Sequence, residues 1–132
     1  MAGGLTPGRV MAEVERVMSR PFEWGPCDCC SAACDVFAAL WSIDPIAHVR
    51  GYSGARAAAR MMAEGGGLAG LAMDAARRGG FAEGHAIGGL ALSRRAGRRQ
   101  ALLICIQPGL WAGKSKSGFA LLRSAERGWR LA

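Results

Sequence analysis

The sequence predicts an α+β domain in which N-terminal helices pack on a small antiparallel sheet. Three observations carry this. Residues 1–80 place their apolar side chains at helical spacing. After Phe81 the apolar residues fall into short runs bounded by turn residues, the pattern of strands. Helices come first and strands follow, which gives a segregated layout rather than parallel βαβ units. With 132 residues and 51% apolar content, the chain has material for one core, so a single domain over 1–132 is expected, mainly helical over 1–80 and stranded over 81–132.

Each element has a local cause. Thr6-Pro7 reads as an N-cap followed by proline at the first helical position, and Val10, Met11, Val14, Val17 and Met18 line one face of a helix over 7–19. Pro21 stops it, and Trp24-Gly25-Pro26 enforces a turn, because glycine is permissive and proline lacks an N–H. Asp28 is a good N-cap for a second helix beginning at Cys29, with Ala33, Val36, Phe37, Leu40 and Trp41 inward. Asp44-Pro45 breaks that helix. The loop 43–54 admits one helical turn at 46–49, and Ser53 is the expected cap of a third helix burying Ala57, Ala58, Met61 and Met62 and ending at Gly65-Gly66-Gly67. A fourth helix opens at Leu68 and ends at Arg77-Arg78-Gly79-Gly80, cations at its negative end and glycine beyond. Strands are expected over 87–92, 101–106, 119–122 and 129–131, with a hairpin tip at 94–99 and turns at Gly109 and over 113–118.

Composition narrows the function. No run of 18 apolar residues is free of charge or glycine, and the N-terminus has no signal-peptide core, so neither a membrane span nor secretion is expected. Of five cysteines, four crowd between Cys27 and Cys34, which argues for reduced thiols rather than a disulfide framework. The net charge of +7 lies wholly in the C-terminal part: residues 94–132 hold nine Lys or Arg against Glu126 alone. A basic face suits nucleic acid, an acidic protein partner or plain solvation. No nucleic-acid motif or interleaved aromatics support the first, so no nucleic-acid partner is expected.

Chemistry concentrates at Cys29. A cysteine at a helix N-terminus sits at the positive end of the macrodipole, which favours thiolate over thiol. Trp24-Gly25, Asp28-Cys29, Ile43-Asp44-Pro45, Arg50-Gly51-Tyr52-Ser53, a glycine-rich segment and a terminal Gly128-Trp129-Arg130 follow in that order. The set resembles a compact family related to the NlpC-type, papain-like cell-wall cysteine peptidases, found in tailed bacteriophages, prophages and gene-transfer particles. The resemblance covers nearly the whole chain and implies a papain-like fold, with Cys29 at the nucleophile position of a peptidase that cuts peptidoglycan stem peptides.

Such chemistry also needs a histidine as base, a polar group to orient it, and oxyanion donors. By the resemblance the histidine opens the second strand, where this chain has Leu102 and Leu103. His85 precedes the first strand and His48 follows the cysteine helix, so His85 is the candidate base only if the register differs. The polar third member is missing too: the following strands offer Gln107 and Ser117 but no carboxylate or Asn in the expected place, and Leu90 stands where active relatives carry an acid. The expectation is therefore a tail-tip or baseplate structural or assembly protein, carried in the virion tail and assembled in the host cytoplasm, with a vestigial site and no cofactor. Its basic C-terminal half would meet neighbouring tail subunits. The alternative is an active endopeptidase using Cys29 on peptidoglycan. Cys27, Cys30, Cys34 and Cys105 read either as metal ligands or as small buried hydrophobes; CxCCxxxC is not a standard metal spacing. The methionines Met11, Met18, Met61, Met62 and Met73 read as core filling, and Trp111 as a half-buried residue or an exposed interface anchor.

Overall fold

The computed structural model describes residues 4–95 and 100–131. Its order is α+β: helices α1 (Pro7–Met18), α2 (Cys29–Trp41), α3 (Ala55–Glu64) and α4 (Gly67–Gly79), with a 3-10 turn at Ala47–Val49. Six strands follow, β1 (Ala82–Glu83), β2 (Leu90–Leu92), β3 (Leu102–Gln107), β4 (Leu110–Ser115), β5 (Gly118–Leu122) and β6 (Arg127–Arg130). They form one antiparallel sheet in the order β1-β6-β2-β3-β4-β5.

Period-2 alternation gives the sheet two unlike faces. On one, Leu90, Leu92, Leu102, Ile104, Ala112 and Trp129 join the main core with Val10, Val14, Val17 and Met18 of α1 and Cys30, Ala33, Cys34, Val36 and Phe37 of α2. On the other, Ala91, Leu103, Cys105 and Trp111 make a smaller cluster. Phe37 is fully buried and meets Phe81 with ring centroids 5.1 Å apart, tying α2 to the chain leaving α4.

Several local expectations change. The segment Leu110–Ser115 is a strand although a turn was expected over 113–118; Gly113 belongs there because a Cβ would stand 2.6 Å from the Leu103 side chain. Ile87–Gly89 is a turn, since Gly88 sits under Trp41, whose indole N–H donates to the Gly88 carbonyl at 2.9 Å. Ser53 does not cap α3; Gly54, with φ of 87°, takes that position without a side-chain bond. Of the methionines only Met18 is fully buried, and Met73 is exposed. Trp111 is buried rather than exposed. The hairpin tip expected over 94–99 falls, at 96–99, outside the described residues.

Candidate functional site

The turn before α2 is built by one carboxylate. Glu23 and Cys27 pair as an isolated antiparallel bridge, so the chain reverses through Trp24-Gly25-Pro26. Gly25 has φ of 100°, and a Cβ on it would lie 2.2 Å from the Tyr52 carbonyl oxygen, a position only glycine can hold. Asp28, fully buried, then caps α2. Its Oδ1 accepts from the amides of Cys30 and Ser31 at 2.9 and 2.8 Å and from the Ser31 hydroxyl at 3.1 Å. Its Oδ2 accepts from the Gly25 amide at 2.9 Å and the Tyr52 hydroxyl at 2.7 Å. Ser31 completes the capping box by accepting from the Asp28 amide at 2.8 Å. A buried carboxylate is tolerated only when its lone pairs are satisfied this fully.

A second set of ion pairs holds the loop after α2. Arg50 donates to Asp35 of α2 at 2.6 Å and to Asp44 at 2.7 Å, and Arg20 at the end of α1 reaches the other Asp35 oxygen at 3.1 Å. Asp28 with Tyr52, and Asp35 with Arg50, thus clamp residues 44–52 onto the helix that carries Cys29, while Asp44 braces Arg50 within the loop. The sequence elements around Trp24-Gly25, Asp44 and Arg50-Gly51-Tyr52 are the glue of this turn.

Cys29 itself is half-buried at the first position of α2. Burial pushes its thiol up to about 11; the Leu102 backbone amide, turned toward the sulfur, opposes that rise, while Cys30 and the Asp28 carboxylate add to it. The macrodipole argument made from sequence is therefore overridden by desolvation and by the capping carboxylate. The start of β3 lies beside Cys29 and presents Leu102 there.

Neither histidine meets the sulfur. His85 packs edge-on against Trp111, ring centroids 5.0 Å apart, and its Nδ1 would lie 2.3 Å from a Cβ on Gly128. Gly128 pairs with Ala91, so His85 covers the face of the sheet turned away from α2. His48 Nε2 lies 3.2 Å from Asp74 of α4, beside a cavity of about 500 Å3 shared with Met61, Leu71 and Arg78. The Arg78 guanidinium holds the Asp74 carboxyl below its ordinary value.

The other thiols do not converge either. Cys27 donates to the Val17 carbonyl at 3.7 Å, Cys34 contacts Cys30 inside the core, and Cys105 lies in the small cluster behind the sheet. Among the described residues no three His, Cys, Asp or Glu side chains come together to hold a metal.

What surrounds Cys29 is a groove of about 850 Å3, walled by Phe22, Trp24, Met62 and Leu68 and closed on the sheet side by Lys114. Lys114 is 7% exposed. Its ammonium donates to the carbonyls of Ser115 and Gly118 at 2.8 and 2.9 Å, and no carboxylate pairs with it among the described residues.

Residues 6–131 match the model of a domain of unknown function, DUF6950. The chain belongs to the DUF6950 family. No curated protein and no solved structure matches it. Two residues that shape the site of this DUF6950 chain went unassigned from sequence. Tyr52 stood inside a quoted motif with no partner named for it. Lys114 lay in an expected turn, and its only signal is alternation in Leu110–Ser115, which directs 112 and 114 to the helix side.

Proposed function

We propose that this DUF6950 chain is a structural or assembly subunit of a phage or phage-like tail tip or baseplate, with an NlpC-like fold and no peptidase activity. The observation that carries this reading is the setting of Cys29: the start of β3 presents Leu102 to it rather than an imidazole, and burial pushes its thiol up. A thiol peptidase needs an imidazole within hydrogen-bond reach of a thiolate. His85 and His48 are each committed elsewhere, to Trp111 and to Asp74. The tail assignment rests on the ordered sequence resemblance and on the basic C-terminal part of the chain, where charge complementarity sets register and partner choice in an assembly.

Two measurements test this reading together. Purified protein incubated with stem-peptide muropeptides is expected to leave them intact by mass spectrometry, and particles purified from a producing host are expected to contain the protein at the tail end by antibody labelling. Cleavage that disappears in Cys29→Ala, or particles that lack the protein, would sink it.

A further inference from the structure

We infer that the groove beside Cys29 is a binding site for a carboxylate-bearing, apolar peptide segment of a partner subunit, with Lys114 as the group that receives the carboxylate. The inference rests on the reading of the protein as a non-catalytic assembly subunit and names what its site takes.

Lys114 carries the case. Lys114 as a residue is only 7% exposed, and placing its charge against the protein without a counter-charge is unfavourable. Two of its three protons go to the Ser115 and Gly118 carbonyls, which are dipoles rather than charges. The third is free for a ligand, and an incoming carboxylate would supply the missing counter-charge in a setting where water screens it poorly. The surroundings agree in sign. Arg94 and Lys116 also line the groove, and no Asp or Glu does, so its cationic character is not cancelled locally.

The remaining walls select the rest of the ligand. Phe22 and Trp24 stack edge to face at 4.9 Å, and with Met62 and Leu68 they make an apolar wall; Trp24 is 37% exposed, large for a tryptophan with no assigned partner. Ser93, Gln100 and Ser124 also line the groove, polar positions of no use to a bare hydrocarbon chain. An extended peptide with an acidic side chain next to leucine or phenylalanine meets all three requirements.

The test uses the full chain and three probes: a fluorescein-labelled Leu-Glu-Leu-Glu-Leu-Phe peptide, the same peptide with both Glu changed to Gln, and sodium decanoate as competitor. Fluorescence anisotropy is expected to show the Glu peptide binding at least tenfold tighter than the Gln peptide. Lys114→Met is expected to remove that preference, Lys116→Gln to weaken it only slightly, and bound Glu peptide to slow iodoacetamide labelling of Cys29. Equal affinity for Glu and Gln peptides on the wild-type chain overturns the inference, whether or not Lys114→Met folds. Displacement by decanoate at the peptide's own concentration or below overturns the peptide assignment. Mass spectrometry of the incubated probe separates the two readings: an intact peptide that shows no binding by anisotropy removes the groove site alone, whereas cleavage removes the non-catalytic reading.

Discussion

Tyr52 donates its hydroxyl to Asp28 Oδ2 at 2.7 Å, so the loop that follows α2 is bonded to the cap that begins it. Tyr52→Phe is expected to cost about 1–3 kcal/mol, because the buried carboxylate loses a donor that water does not replace. Asp28→Ala should cost more, roughly 3–5 kcal/mol, beyond the 0.5–2 kcal/mol of an exposed N-cap, since the Gly25, Cys30 and Ser31 amides lose their acceptor together. Urea unfolding followed by circular dichroism measures both. Equal losses for the two variants would show that Asp28 acts through Tyr52 alone.

Thiol chemistry should be slow and alkaline. With Cys29 pushed up to about 11 by burial, iodoacetamide labelling of the native protein is expected to rise about tenfold per pH unit up to at least pH 10. A labelling midpoint below pH 8 would contradict the buried-thiol setting.

The same shift has a consequence for stability, with a definite sign. Cys29 binds its proton more tightly folded than unfolded, so its contribution is fully present below about pH 9, declines between 9 and 11, and is gone above 11. Cys105, also pushed up to about 11 by burial, acts in the same direction, as does Tyr52, raised by burial and by Asp28. Melting temperature should fall as pH rises from 9 to 11, and Cys29→Ser should flatten part of that fall, on the order of 2 kcal/mol. A melting temperature constant across this window would refute it.

The order of the fold was legible because it depends on local signals. Thr6-Pro7, the Asp28 cap and the glycines after Arg78 mark helix ends whatever the rest of the chain does. What could not be read depends on partners distant in sequence. Gly113 looked like a turn because the glycine alone is visible in sequence, while the Leu103 side chain that requires it is not. Trp41 over Gly88 hid the end of an expected strand in the same way. At the site, the sequence places Cys29 at the helix start and Leu102 on a strand, but not the one against the other, so the rise of the thiol could not be read. Dipole and helix position are local; the desolvation that outweighs them is set by β3.

Gly25→Ala should behave as a turn-breaking change rather than a mild one. The new Cβ meets the Tyr52 carbonyl oxygen at a backbone conformation alanine avoids, so a loss of at least ~2 kcal/mol is expected in thermal melts. Wild-type stability in this variant would mean that the 23–27 hairpin can rearrange freely.

His85→Ala isolates the two faces of the sheet. Labelling of Cys29 is expected to stay within about twofold of wild type, since His85 packs on the face of the sheet turned away from α2, while Trp111 loses its cover and its fluorescence shifts to the red. A large fall in Cys29 labelling would place the imidazole in contact with the sulfur after all.

The five bonds onto Asp28 join segments at residues 25, 28–31 and 52, so the first turn of α2 cannot fray on its own. To open it, the chain must release the hairpin before it and the loop after it in the same event. Cys30, 1% exposed just behind that cap, therefore becomes a built-in gauge of cooperative opening: its alkylation in mild denaturant reports how often the hairpin, the first turn of α2 and the Tyr52 loop come apart together, with no engineered probe needed.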